Sequence, residues 1–321
     1  MRLLVLGGTK FLGRHVVAAA LDDGHDVTIF TRGQTNPELF PEVEHVHGNR
    51  DGDLDVLHGG AWDGVIDTSG YVPRVVRQSA ELLRDRVGRY VFVSSISVYA
   101  DFSRPITDAT PVAELEDPAT EEVTEHYGAL KAACERVVEE NYDDRSARVR
   151  AGLIVGPYDP TDRFTYWPRR IAAGGDVLAP GDPTSPVQFV DARDLGAWLV
   201  NLALRGPGGV FDATGPAEPL TLGELFERAR SAIGSDASFV WTDSQRIREA
   251  DVQPWTELPL WLPNPDFAGM VQADVRPAVA AGLEFRTLEE TIVDTLAWDR
   301  TVSGDRPTLS AEKERAILAA G

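Results

Sequence analysis

Two residues with acid–base chemistry stand four positions apart, Tyr127 and Lys131. Residues 124–141 have a helical pattern, which predicts both side chains on one helix face with Cβ atoms about 5–6 Å apart. With 7 Tyr and only three Lys in 321 residues, chance alone gives roughly 0.07 such pairs. A phenol beside an ammonium is suited to proton transfer, because the positive charge lowers the phenol pKa. A solvated helix face with an extended Lys is the alternative.

A glycine-rich turn near the N-terminus is suited to hold a phosphate. The residues GGTKFLG, from Gly7 to Gly13, lie between a predicted strand (residues 2–6) and a predicted helix (residues 14–21). Glycine lets the backbone approach a pyrophosphate closely, and the helix N-terminus supplies unpaired N–H groups and a positive dipole. The alternative is a turn that binds nothing.

The elements that must position these groups alternate along the chain. Further strands are predicted over residues 27–31, 64–67, 90–94, 148–155 and 209–213, and further helices over residues 74–87, 124–141 and 194–204. Strand–helix alternation predicts an α/β fold with a Rossmann-type, doubly wound parallel sheet.

A second, smaller unit is predicted from a change in composition. Prolines and glycines become dense after residue 156, and two capping boxes, Thr221 with Glu224 and Thr287 with Glu290, predict later helix starts. We predict a dinucleotide-binding domain over residues 1–155 plus about 187–213. The rest, about 156–186 and 214–321, is expected to form a C-terminal substrate domain.

Composition narrows the class of protein. With 43% hydrophobic residues the chain has enough apolar area for a full core. The formal net charge of −20 argues against a nucleic-acid partner, since that affinity comes mainly from neutralising phosphates. The lone Cys134 fits a reducing cytoplasm, and the apolar residues 3–6 are too short for a membrane span. An acidic composition with only three Lys is typical of adaptation to a salty cytoplasm. An arginine-favouring codon bias is the alternative explanation for the scarcity of Lys.

The chain resembles the short-chain dehydrogenase/reductase superfamily in its extended or atypical branch, the NAD(P)-dependent epimerase/dehydratase family. The motifs that carry the resemblance span most of the first 200 residues in the family's order. They are GGTKFLG (7–13), VFVSSISVY (91–99), YGALK (127–131), RAGLIVGP (150–157) and VQFVDARDL (187–195).

The resemblance implies roles for individual residues. Ser95 matches the active-site hydroxyl, Tyr127 the acid/base and Lys131 its partner; Ser94 is the alternative if the register slips by one. The implied cofactor-binding residues are Gly7, Thr9, Lys10, Phe11, Leu12, Gly13, Arg32, Asn49, Arg50, Thr68, Ser69, Gly70 and Leu153. The candidate substrate-binding residues are Arg163, Tyr166, Trp167 and Trp255.

Departures from the family pattern bear on the ligands. Lys10 replaces a glycine in the turn, and Thr31 with Arg32 stands where NAD users place a carboxylate, so NADP(H) is favoured over NAD(H). Leu153 and Val187 stand where nucleotide-sugar epimerases carry an Asn and an Arg, which makes a nucleotide sugar doubtful. The six histidines show no zinc spacing, so no metal is expected.

We therefore predict a cytoplasmic, NAD(P)-dependent oxidoreductase that transfers hydride at an alcohol/carbonyl centre of a small-molecule substrate. The first alternative is a sugar or nucleotide-sugar epimerase/dehydratase. The second is a non-catalytic binding or RNA-associated protein, because the Lys-containing turn resembles that of chloroplast RNA-binding relatives. No nucleic-acid or membrane partner is expected, and the resemblance suggests a homodimer.

Overall fold

A seven-stranded parallel sheet lies at the centre of the computed structural model, which describes residues 1–304 and 306–319. In chain order, the strands are β1 (Arg2–Leu6), β2 (Asp26–Thr31), β3 (Glu44–His47), β4 (Trp62–Asp67), β5 (Val87–Ser95), β6 (Ser146–Ala151), β7 (Ile154–Val155), β8 (Asp176–Pro180), β9 (Pro186–Val187), β10 (Val190–Asp191), β11 (Gly209–Ala213), β12 (Leu220–Thr221) and β13 (Ser238–Thr242). The order across the main sheet is β11-β6-β5-β4-β1-β2-β3, which confirms the predicted Rossmann-type architecture.

Helices cover both faces of this sheet, and others pack in the C-terminal half. In chain order, the helices are α1 (Phe11–Asp22), α2 (Pro73–Leu83), α3 (Val123–Tyr142), α4 (Tyr166–Ala172), α5 (Ala192–Leu204), α6 (Leu222–Ile233), α7 (Ser244–Glu249), α8 (Arg276–Ala280), α9 (Leu288–Asp299) and α10 (Ala311–Ala319). None of the helices in the described part of the chain is long and apolar enough to cross a bilayer.

Strand β1 shows how the sequence produces two covered faces. Leu3 and Val5 belong to the core beneath α1 and α5, whereas Leu4 and Leu6 belong to the core beneath α2 and α3. All four side chains are fully buried. A strand buried on both faces needs a continuous apolar run, and the LLVL sequence provides it.

A third apolar core lies in the C-terminal half. It combines residues from the proline-rich segment after Gly156 with residues of α6 and α9, and its largest members include Trp167 and Phe226. Both predicted capping boxes are present at the starts of α6 and α9. The domain boundaries drawn from the sequence stay a prediction.

Two predicted elements differ from the structure. The helix predicted over residues 74–87 ends at Leu83, and Val87 instead begins β5, where it pairs with Trp62. The strand predicted over residues 148–155 breaks at Gly152, whose N–H donates to Ala213, and the following β7 pairs with β10 outside the main sheet. This break carries the chain across the carboxyl edge of the sheet, where ligands bind in such folds.

A buried ion pair links β4 to the segment after β3. The Arg50 guanidinium donates to both oxygens of Asp67, at 2.6 and 2.5 Å, and also to Ser79. The Asp67 carboxylate is fully buried and accepts a hydrogen bond from the Tyr90 phenol at 2.7 Å. Burial alone would raise the pKa of Asp67, but the Arg50 charge and these hydrogen bonds lower it below its usual value. Asp67 is therefore held as a carboxylate inside the fold.

We expect Arg50→Met to destabilise the protein by about 3–5 kcal/mol, because it leaves a buried carboxylate without its cation. Arg74→Met is the matched control: Arg74 also binds two carboxylates, those of Asp51 and Glu121, but these groups are about half exposed. The control should lower the free energy of unfolding by clearly less, because exposed ion pairs contribute little to stability. Urea unfolding followed by tryptophan fluorescence measures both, and equal losses would contradict a structural role for the buried pair.

Candidate active site

A cleft of about 1060 Å³ lies along the carboxyl edge of the sheet. Its walls include the residues at or just after the ends of β1, β2, β4, β5 and β6. The volume is at the upper end of the ~300–1,000 Å³ typical of ligand pockets. The cleft therefore has room for a large ligand or for two ligands side by side.

The turn from Gly7 to Gly13 forms one end of this cleft. A Cβ atom at Gly13 would lie 2.6 Å from the Gly8 nitrogen, so the first turn of α1 packs backbone to backbone against the strand end. No side chain caps α1 at Lys10, and Asn36 Nδ2 holds the turn by donating to the Thr9 carbonyl at 2.8 Å. Free helix N–H groups beside a close backbone approach fit a pyrophosphate.

Lys10 and Arg32 lie on the wall around this turn, and both side chains are exposed. Neither forms an ion pair with any carboxylate in residues 1–304 or 306–319. Thr31 Oγ1 accepts from the Gly33 N–H at 3.2 Å, which shapes the loop that presents Arg32. Asn49, Thr68, Ser69 and Leu153 line the cleft as well.

Two residues with predicted cofactor-binding roles, Arg50 and Gly70, make other contacts in the structure, and their roles stay predictions. Arg50 lies at the cleft wall, but its guanidinium is turned inward to Asp67. Gly70 is buried behind the wall, and its carbonyl accepts a hydrogen bond from Lys131 instead of facing the cleft. The sequence analysis missed Asp67, although an acidic residue ending an apolar strand at the ligand edge was a usable signal.

Ser95 and Tyr127 come together because α3 packs tightly against the end of β5. A Cβ atom at Gly128 would lie 1.9 Å from the Ser97 carbonyl oxygen, so only glycine permits this approach. Ser95 Oγ accepts from the Ser97 N–H at 3.1 Å, which fixes the turn after the strand. His126 interrupts the regular helix immediately before Tyr127. The Gly128 contact, missed in the sequence, sets the position of the phenol.

Burial raises the pKa of the Tyr127 phenol above its ordinary value. A hydrogen bond from the Ser95 side chain and the positive charge of Arg163 both oppose this shift. Tyr127 therefore carries its proton at neutral pH, next to a hydroxyl and facing a cation. Ser94 also lines the cleft, but its buried Oγ has no hydrogen-bond partner in the described chain. Ser95, and not Ser94, is the hydroxyl whose interaction lowers the pKa of the phenol.

Lys131 lies one helical turn beyond Tyr127 and is almost fully buried. Its Nζ donates to the Gly70 carbonyl at 2.7 Å and to the Val93 carbonyl at 2.6 Å. Burial lowers the pKa of this ammonium to about 8. The sequence analysis expected Lys131 to act directly on the phenol, whereas the structure directs the ammonium to two backbone carbonyls.

The candidate substrate residues separate into two groups. Arg163 and Trp255 line the cleft, whereas Tyr166 and Trp167 do not. Trp167 packs against Phe226 with ring centroids 4.4 Å apart, and Tyr166 packs beside it, so both belong to the C-terminal core. The substrate role of these two residues stays a prediction, and their side chains contribute to packing. Among the wall residues that were not predicted from the sequence are Ile96, Gln188, Met270 and Val271.

The charge of the cleft is opposite to that of the protein. Its lining contains five cationic residues and a single acidic one, Asp51, in a chain with a net charge of −20. Asp51 is itself paired with Arg74. Such a positive cleft attracts anionic ligands.

Comparisons with known proteins agree with this architecture. A family model described as the NAD dependent epimerase/dehydratase family matches residues 73–211. The chain is 29% identical over 263 residues to the 2-alkyl-3-oxoalkanoate reductase of Stenotrophomonas maltophilia, which covers 73% of this chain and 76% of the relative. The structure of UDP-glucuronic acid 4-epimerase from Bacillus cereus in complex with NAD has a TM-score of 0.67 at 16% identity, covering 94% of this chain and 97% of that one.

A third relative is the chloroplast stem-loop binding protein of 41 kDa b from Arabidopsis thaliana, 25% identical over 220 residues. The match covers 63% of this chain, which spans about half (54%) of the relative's length. The sheet order, the cleft and the match over residues 73–211 agree with one another, and the chain is similar to members of the NAD dependent epimerase/dehydratase family.

Proposed function

We propose that this protein is an NADP(H)-preferring oxidoreductase that acts on an alcohol/carbonyl centre of a small molecule. The observation that carries the proposal is the shared cleft: Ser95, Tyr127 and Lys131 line the same space as the glycine-rich turn. A nicotinamide dinucleotide fits this space, with its pyrophosphate at the free N-terminus of α1. When bound, the nicotinamide supplies or accepts a hydride at the reacting carbon.

The residues around the reacting oxygen have distinct tasks. The Ser95 hydroxyl donates a hydrogen bond to the substrate oxygen and orients it. The Tyr127 phenol donates its proton to that oxygen during reduction, and its raised pKa keeps this proton in place at neutral pH. In the oxidation direction the phenol must first lose its proton, and its raised pKa opposes that loss at neutral pH. The resting charge state therefore favours carbonyl reduction.

Lys131 supports this proton transfer from the buried side of the cleft wall. An ammonium has three N–H donors, and two of them are used on Gly70 and Val93. One donor remains for the nicotinamide ribose. The ammonium also contributes positive charge near the site at pH 7, since its pKa is about 8.

The preference for NADP(H) rests on charge at the other end of the cleft. Lys10 and Arg32 are exposed there and form no ion pair within the described chain. A 2′-phosphate would give these cations an anionic partner, and no carboxylate at the end of β2 competes for the ribose hydroxyls. Fold neighbours such as the UDP-glucuronic acid 4-epimerase are complexes with NAD, so the preference for NADP(H) is argued from this chain's own residues.

A sugar or nucleotide-sugar epimerase is the second candidate, supported by the family match and by fold neighbours such as the UDP-glucuronic acid 4-epimerase. The substrate end of the cleft weighs against it. Ile96, Trp255, Met270 and Val271 make this wall largely apolar, and Gln188 is occupied by two hydrogen bonds with Ala273. Few donors remain for a uridine and a diphosphate. The net charge of −20 likewise weighs against an RNA-binding role.

We expect Tyr127→Phe to lower kcat at least a hundredfold while leaving the Kd for NADPH within a few-fold, because the phenol moves a proton and the Gly7–Gly13 turn binds the cofactor. The assay follows NADPH absorbance with 3-oxooctanoate, a simple 3-oxo acid chosen because one relative is a 2-alkyl-3-oxoalkanoate reductase. Tyr99→Phe is a control, since that phenol is buried against Asp212 and lies outside the cleft. Retention of most of the wild-type rate in Tyr127→Phe would remove Tyr127 from the mechanism.

We expect tighter binding of NADPH than NADH, by at least about tenfold, since one charge-assisted hydrogen bond is worth roughly 1.5–3 kcal/mol. The double variant Thr31→Asp with Arg32→Ala should reverse the preference, because a carboxylate repels the phosphate and accepts from the free ribose. Asp can still accept from the Gly33 N–H, so the loop should survive. Fluorescence titrations at fixed ionic strength measure both dissociation constants, and equal values in the unmodified protein would overturn the assignment.

A further inference from the structure

Arg163 is the cation at the substrate end of the cleft, and its charge acts on the Tyr127 phenol. It forms no ion pair within the part of the chain that the structure describes. The two neighbouring arginines are different. Arg169 is paired with Asp162 and Asp299, and Arg170 is paired with Glu314.

The backbone around Arg163 is fixed on both sides. Asp162 before it is buried, has a φ of +59°, and accepts hydrogen bonds from Arg169 and Thr308. Phe164 after it is fully buried, with its ring 4.9 Å from that of Phe189. Because both neighbours are anchored in the C-terminal core, Arg163 is held at the cleft wall without using its own guanidinium.

Asp159 is an acidic residue whose carboxylate interacts with the charge of Arg163, but the two side chains do not form an ion pair. Asp159 is buried and directs Oδ1 to the N–H and hydroxyl of Thr161, at 2.8 and 2.7 Å. It lies more than 4.0 Å from the Arg163 guanidinium, and burial raises its pKa. The guanidinium therefore keeps its hydrogen-bond donors free for a ligand in the cleft.

We propose that Arg163 determines substrate specificity by binding a carboxylate of the substrate. The substrate class is then a small oxo or hydroxy acid with an apolar body. This inference rests on the proposed oxidoreductase function and adds the chemical group that the site recognises. One planar guanidinium matches one carboxylate through two parallel hydrogen bonds.

The surrounding wall agrees with this substrate class. The carbonyl oxygen must reach Ser95 and Tyr127, so the carboxylate lies on the Arg163 side of the reacting carbon. The remaining substrate atoms face Ile96, Trp255 and Met270, which are apolar and line the same cleft. A nucleotide diphosphate carries at least two negative charges and a polar base, and this wall offers one free cation. A carboxylic acid with an alkyl chain matches both the single free cation and the apolar wall.

Binding of a matched pair of probes tests the proposal without turnover. Octanoate and octanamide have nearly the same shape and differ in charge, and isothermal titration calorimetry measures their Kd on protein saturated with NADPH. In the unmodified protein, octanoate should bind at least about tenfold more tightly than octanamide, because charged hydrogen bonds exceed neutral ones. Arg163→Gln should abolish this difference, whereas Arg163→Lys should keep part of it.

The control variant is Arg136→Gln, which removes the same charge from an exposed position on α3 outside the cleft. It should leave the Kd of octanoate and the Kd of octanamide unchanged, and the Kd of NADPH should be the same in all variants. Equal binding of the two probes, or loss of octanoate binding in the control, overturns the role of Arg163 and leaves the proposed function standing. A weaker NADPH Kd in Arg163→Gln assigns Arg163 to the cofactor and also overturns the inference. If NADPH does not bind the unmodified protein, the proposed function itself fails.

Discussion

The ammonium of Lys131 is the interaction on which the site depends. It lies inside the fold and donates to two backbone carbonyls, one on β5 and one in the loop after β4. An unpaired charge at such depth would be strongly unfavourable, so helix α3 is held where both carbonyls can be reached. Gly128, one helical turn earlier, permits the contact with the end of β5 that places Tyr127 beside Ser95. One buried cation and one missing Cβ atom thereby fix the geometry of the proton donor.

Electrostatics divides the molecule into an acidic exterior and a cationic cleft. Each cation at the wall has a separate environment: Arg50 neutralises a buried carboxylate, Lys131 binds carbonyls, and Lys10, Arg32 and Arg163 have no partner in the described chain. The cations with no partner lie at opposite ends of the cleft. This separation suits two anionic ligands that meet near Tyr127, a dinucleotide on one side and an acid on the other. Repulsion between an anionic ligand and the surrounding acidic surface would confine anion binding to this cleft.

The sequence predicted the sheet, the glycine turn and the residues Ser95, Tyr127 and Lys131 because these depend on local patterns. A strand buried on both faces must be apolar throughout, and a Tyr–Lys pair four residues apart shares a helix face wherever the helix lies. The bend at Gly152 could not be predicted from the apolar run around it, because a partner strand beyond residue 189 causes the break.

The substrate wall was harder to predict for a related reason. Trp167 and Trp255 are chemically alike, and only the packing of distant segments decides that one lies in the core and the other at the cleft. Met270 and Val271 reach the wall from more than 130 residues beyond Tyr127, with no local signal. Likewise, the sequence offered Arg163, Arg169 and Arg170 as equal candidates, and long-range ion pairs with Asp299 and Glu314 separate them.

Isotopic labelling distinguishes net hydride transfer from a nicotinamide cofactor to a small oxo acid from a reaction that leaves the cofactor unchanged. NADPH deuterated at the transferable position of the nicotinamide is incubated with 3-oxooctanoate and the protein, and the product is examined by mass spectrometry. We expect 3-hydroxyoctanoate carrying one deuterium, with one NADPH oxidised for each molecule formed. Conversion of UDP-glucuronic acid to an isomer with no net oxidation of the cofactor, and no reduction of the oxo acid, would contradict this expectation.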